Sequence, residues 1–127
     1  MGQPAAKQGD RIMATDMHMI QTPSGSPVLM PHPFVGMIDS GLSSDVKIMG
    51  MPAATVNSAA SNTPPHVPSG GSFVKPPSNK GTIMIGSATV FINSKQAARN
   101  SDSANTCNDP ADLPAGKVVA VGTVMIG

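Results

Sequence analysis

Two stretches of this chain align without a gap, Gly50-Met-Pro-Ala-Ala-Thr-Val-Asn-Ser58 and Gly86-Ser-Ala-Thr-Val-Phe-Ile-Asn-Ser94. Gly81-Thr-Ile-Met-Ile-Gly86 likewise matches Gly122-Thr-Val-Met-Ile-Gly127. A short Ala-Ala element recurs as Ala5-Ala-Lys-Gln-Gly-Asp10, Ala59-Ala-Ser-Asn-Thr63 and Ala97-Ala-Arg-Asn-Ser-Asp102. Three related units in 127 residues restrict the fold strongly, because a small repeat buries its apolar face only against its neighbours. They predict hairpins set about a pseudo-three-fold axis. Chance similarity among Ala-, Ser- and Gly-rich segments is the competing explanation, and it weighs most against the Ala-Ala element taken alone.

The apolar residues are patterned as strands. Gly81–Gly86 and Ala88–Asn93 are rich in β-branched residues and bounded by Gly or Ser, as half-buried strands are. Strands are predicted at 11–15, 27–30, 46–50, 53–57, 81–86, 88–93 and 117–126, with Gly86-Ser87 as a tight hairpin turn and 61–80 as a long loop. No window holds a capped 3.6-residue period, so the class is all-β, with little or no helix. Domain length predicts one unit over residues 1–127. The start, MGQPAAKQGDR, lacks an apolar signal-peptide core, which fits a cytoplasmic beginning. No apolar run reaches the roughly 18 residues of a spanning helix.

Such a chain has little material for a core. It contains 13 Gly and 13 Pro, no Trp or Tyr, and only Phe34, Phe73 and Phe91 as large aromatics. Small domains bury a modest fraction of their surface, so a staple is expected. One cysteine, Cys107, excludes an internal disulfide and leaves a metal or a partner chain. A net charge of +1 with 12% charged residues supplies no footprint for nucleic acid.

The soft or borderline metal ligands are His18, His32, His66 and Cys107. Three imidazoles and a thiolate make a full tetrahedral zinc shell. His18, His66 and Cys107 each follow one Ala-Ala element, whereas His32 lies in Met30-Pro-His-Pro33 between stiffening prolines. The spacings match no zinc finger, and ordinary surface histidines with a buried thiol remain the alternative. Catalysis is disfavoured. Cys107 has no cationic neighbour in sequence to lower its pKa, no Gly-x-Ser-x-Gly, phosphate loop or His-Glu-x-x-His is present, and a four-ligand zinc leaves no open position. The carboxylates, Asp16 among them, are scattered, and turn capping is the simpler role for Asp10 and Asp102. The 10 methionines are either core filler or an adaptable apolar surface.

Gly86-Ser-Ala-Thr-Val-Phe-Ile-Asn-Ser-Lys-Gln-Ala-Ala-Arg99, followed by Asp102 and Cys107, resembles the repeat signature of PAAR-domain proteins. Pro4-Ala-Ala-Lys7 and Gln96-Ala-Ala-Arg99 stand where that family has Pro-Ala-Ala-Arg, with Lys7, Gln96, Ser94 and Ser101 as departures. The resemblance spans nearly the whole chain. It implies a cone of short hairpins pinned near its apex by zinc, with iron as a substitute, on His18, His32, His66 and Cys107. It implies a structural tip, without enzymatic activity or an effector extension, seated on the trimeric valine-glycine-repeat-type spike of a type VI secretion system or a related extracellular particle. The tip would assemble in the cytoplasm, help puncture a target envelope and leave on firing, without stable membrane insertion. The strands carrying Met84 and Met125 are expected at the broad base against the spike, unless both are core. A zinc-stabilised adaptor docking cargo or effectors is the second reading. A partly disordered proline-rich interaction protein is the third.

Overall fold

The computed structural model describes residues 2–68 and 70–127. Strands β1 to β5 are Gln3–Pro4, Arg11–Gln21, Pro27–Ser40, Lys47–Ile48 and Met51–Pro52. Strands β6 to β9 are Ala59–Asn62, Ser72–Phe73, Lys80–Ile83 and Phe91–Ile92. Strands β10 to β13 are Lys95–Gln96, Ser103–Thr106, Leu113–Val119 and Met125–Ile126. Among the described residues there is no helix, and therefore none long and apolar enough to cross a membrane. The all-β expectation holds. Six strands close a barrel in the order β12-β11-β8-β6-β3-β2, with β12 pairing back onto β2.

The repeat is real, but its second copy lies six residues earlier than the sequence alignment placed it. Ala6 N–H donates to Ala98 O at 2.9 Å, Ala98 N–H to Ala54 O at 3.0 Å, and Ala54 N–H to Ala6 O at 3.0 Å. These three bonds form a ring about the axis, so the second Ala-Ala element is Ala53-Ala54, and Ala59-Ala60 begins the strand after it. Bridges Ala5 to Arg99, Lys7 to Ala53 and Thr55 to Ala97 repeat the same relation one residue out. Each element then turns in the same way. Asp10 N–H bonds to Lys7 O, Ser58 N–H to Thr55 O and Asp102 N–H to Arg99 O. The side chains of those residues accept from the N–H of Lys7, Thr55 and Arg99 at 3.1, 2.9 and 2.7 Å. Gly9, Asn57 and Ser101 hold the positive φ that each turn requires. The capping role expected of Asp10 and Asp102 is the one they play, with Ser58 as the third cap.

The alanines divide the core. Ala5, Ala53 and Ala97 pack with Ile48, Ile92 and Ile126 on one side of the ring. Ala6, Ala54 and Ala98 face the barrel, whose core includes Ile12, Phe34, Ile38, Ile83 and Val118. On the first side stand the two-residue hairpins β4–β5 and β9–β10, turned by Met49-Gly50 and Asn93-Ser94 with positive φ at all four positions. These are the conditions of a type I′ turn. The pair β1–β13 completes the set.

Those turns correct two expectations. Gly86-Ser87 joins no hairpin; Gly86 is needed because an added Cβ would meet Ala97 O at 2.6 Å. Residues 53–57 form the axial turn and not a strand, because their hydrogen bonds go around the axis. In the opposite direction, the strands starting at Arg11 and Pro27 run much further than expected, pairing over their full length in a long hairpin.

The barrel interior is too narrow for side chains at every position. Gly36, Gly81 and Gly116 each precede an inward Ile38, Ile83 or Val118 by two residues. Together they form a layer around Phe34 and Ile12: a Cβ at Gly36 would lie 2.8 Å from Phe34 and 3.0 Å from Ser61 O. We predict that Gly36→Ala destabilises the fold by about 1–3 kcal/mol, the usual cost of forcing atoms into a packed core. Denaturant unfolding measures this, and a shift below about 0.5 kcal/mol would contradict the packing described.

Candidate metal centre

The strands that leave the axial ring carry the candidate ligands away from the hairpin side. His18 lies eight positions after Asp10 on β2, roughly 25 Å of extended chain. Along β2 the inward positions alternate as Ile12, Ala14, Asp16, His18 and Ile20. His32 comes from β3, opposite Asp16 in the ladder. His66 lies in the loop after β6, and Cys107 follows β11 directly.

The donors of Asp16, His18, His66 and Cys107 all lie within 4.8 Å of one another. Opposite ligands of one ion span about 4–4.6 Å at metal–ligand bonds of about 2.0–2.3 Å, so this group could hold a metal. His32 stands beside it, its ring centroid 5.5 Å from those of His18 and of His66. His18, His32 and Cys107, carried by different segments, are all buried, and the Asp16 carboxylate is fully so.

The hydrogen bonds define which ring nitrogens are available. His32 Nδ1 lies 3.0 Å from Met30 O and donates its proton there, which leaves Nε2 as a bare lone pair. That Nε2 is buried without a partner. Asn62 Oδ1 accepts from Val35 N–H, which orients its amide so that Nδ2 donates to His66 Nδ1 at 3.2 Å. His66 therefore carries its proton on Nε2, which donates to Asp16 Oδ2 at 2.8 Å. Both nitrogens of His18 are buried without a hydrogen bond, although Asp109 Oδ2 is 3.6 Å from Nδ1. Buried polar atoms without partners are costly and rare in native structures. One nitrogen of His18, unpartnered beside the donors of Asp16, His66 and Cys107, fits a cation as its missing partner, with His32 Nε2 unpartnered next to that group.

The electrostatics agree with that fit. Burial lowers the His18 pKa, against the opposing pull of Asp109, and so favours the neutral ring that a metal needs. The Cys107 thiol is pushed up to about 11, first by burial and then by the Asp16 charge. A thiol so placed is a poor nucleophile at neutral pH and ionises readily only when a cation takes the proton's place.

His18, His66 and Cys107 are thus brought together, with His32 adjacent and its free nitrogen buried. Asp16 was not among the sequence candidates for ligation. A carboxylate on the inward face of an otherwise apolar strand, two residues from His18, was the signal for it. Met125 lies exposed on the hairpin side of the ring. Met84 is also exposed but follows Ile83 on the barrel flank, at the position held by Asp39 and Val119 in the other units. No family model matches this chain, and a search of curated proteins finds no match to it.

Two predictions follow from the geometry. Protein purified without added metal should carry one ion per chain, and Cys107→Ser and His66→Ala should each lose it and lower Tm by more than about 10 °C, because binding energy at such a site is folding energy. Elemental analysis and calorimetry check this; unchanged Tm in both variants would remove them as ligands. In metal-stripped protein the raised thiol pKa favours the folded state while the thiol is protonated. That contribution is present below the ordinary value of about 8.5 and is lost as pH rises through about 11. The stability difference between wild type and Cys107→Ala should shrink across that interval in urea titrations at stepped pH.

Proposed function

We propose that this chain is the tip of a contractile injection spike, a structural protein that caps a three-fold partner and is stiffened by zinc. The observation that carries the reading is the axial ring of Ala6, Ala54 and Ala98, with three equivalent two-strand pairs, two of them hairpins, on one side of it. One asymmetric chain can sit on a homotrimer only by presenting nearly equal contacts around an axis. The hairpin side does this with chemistry suited to burial. Val46, Val90 and Val124, whose carbonyls accept from Ala53, Ala97 and Ala5, are equivalent and part-exposed. Phe91 and Met125 are more than half exposed beside them. Exposed apolar clusters of this kind mark interaction surfaces, and methionine adapts to contacts that are similar but unequal.

Zinc suits the donors at the other end, since it accepts nitrogen, sulfur and carboxylate oxygen with no geometric preference of its own; iron is the substitute. There the ion would hold together segments that share few backbone bonds, so that axial load does not splay them. The PAAR-like motifs favour the same reading, with a valine-glycine-repeat-type spike trimer as partner. Assembly in the cytoplasm, release on firing and envelope puncture belong to it. Nothing in the donor set calls for catalysis.

The test is assembly. Met125→Asp and Phe91→Asp should abolish binding to the spike trimer while metal content and Tm stay near wild type, since a buried unpaired charge is expensive at an interface and harmless in water. Met84→Asp, on the flank, measures how far down the partner reaches. Retained assembly in both the Met125 and Phe91 variants would place the docking face elsewhere. Stoichiometric binding of metal-loaded protein to a free effector, without any spike, would favour the cargo-adaptor reading.

A further inference from the structure

We propose that Asp16 binds the ion directly, making the centre a five-donor site of Asp16, His18, His32, His66 and Cys107; this rests on the reading that the cluster holds a metal. Asp16 Oδ2 is the point on which two donors converge, His66 Nε2 at 2.8 Å and Cys107 Sγ at 3.4 Å. Both bonds exist only because the imidazole and the thiol supply protons. A metal displaces those protons. The carboxylate oxygen would then face a nitrogen lone pair and a thiolate with nothing between them.

Asp16 cannot readily turn away. Its other oxygen, Oδ1, accepts from Thr106 Oγ1 at 2.5 Å, and the residue is fully buried in the middle of β2. His66 cannot present its other nitrogen instead, because Nδ1 accepts from the Asn62 amide. So either His66 stays outside the shell, held by Asp16, or Nε2 and Oδ2 approach the same ion. The spread of 4.8 Å across Asp16, His18, His66 and Cys107 favours the second. His32 Nε2, buried and unpartnered, stands outside that 4.8 Å group and would close in on the ion as the fifth donor.

Charge leads to the same place. A dication with three neutral imidazoles and one thiolate keeps a net positive charge among buried side chains, where an uncompensated ion is costly. Two anionic ligands cancel it. A carboxylate also hardens the donor set and admits ions that tolerate more than four ligands.

Cobalt(II) titrated into metal-stripped wild type and Asp16→Asn provides the test. Wild type should show the weak visible bands of a five-coordinate ion. The variant should show the intense bands of a four-coordinate one, with cobalt affinity reduced more than about 100-fold, beyond the roughly 10–100-fold cost of an outer-sphere partner. If Asp16→Asn does not fold, X-ray absorption on the zinc-loaded wild type decides, with a five-ligand shell of one sulfur and four nitrogen or oxygen donors expected. A four-ligand shell overturns the five-donor site, and a cobalt spectrum and affinity that the variant leaves unchanged overturn the role of Asp16, while the metal centre stands. Failure of wild type to take up cobalt or zinc overturns both.

Discussion

The three hydrogen bonds that link Ala6, Ala54 and Ala98 around the axis are what the remaining structure is built upon. Backbone groups meet at that axis only if the residues there are small, so each unit offers two consecutive alanines. The first packs among the isoleucines of the short hairpins, and the second among those of the barrel. The turn that follows must reverse direction within a few residues, and a short acceptor side chain, Asp or Ser, satisfies the backbone N–H left at its start. The same closeness propagates one layer further, where Gly36, Gly81 and Gly116 leave the space that Phe34 and Ile12 fill. One large ring in a cage of glycines does the work of a core that this composition could not otherwise assemble.

Symmetry holds on the hairpin side and fails on the other. Of the three strands that leave the axial turns, β6 and β11 are four residues each and β2 is 11, so that β2 with β3 extends well past the rest. The loop between β6 and β8 joins that extension through β7 and the Val74 N–H, which donates to Met19 O. Few backbone bonds cross between these segments, and the contacts there are made by imidazoles, a thiol and a carboxylate. Side-chain ligation and sheet pairing are alternative ways of fixing chains in space, and the group that could hold a metal lies where sheet pairing is sparse. One small chain thus has a symmetric end and an asymmetric end that carries the candidate metal ligands.

Much of this was legible in advance. Strand-rich patterning without helical period was enough for the class, and repetition for the three units. The caps Asp10 and Asp102 were recognisable because turn chemistry is local. The second unit was misplaced because Ala59-Ala60 resembles the motif as closely as Ala53-Ala54 does; only the latter lies where its N–H and C=O reach the axis. Gly86 was taken for a turn residue, since a glycine needed for close approach looks the same in sequence as one needed for positive φ. Asp16 is not distinguished from the other carboxylates by number or neighbourhood in sequence; the alternation of β2 is what buries it.

The sequence alone determined the covalent inventory: which donors exist, that no disulfide can form, and that three similar units must share one core. These are properties of residue types and local order, and no folding can change them. The tertiary structure decided which alanine pair closes the ring, which methionine faces the end surface and how the nitrogens of each imidazole are partnered. Those depend on contacts between residues as far apart as Asp16 and Cys107, whose proximity comes from barrel closure. The register of a strand decides on which side of a sheet each residue falls, and register is set by the whole assembly of pairings and not by any segment on its own.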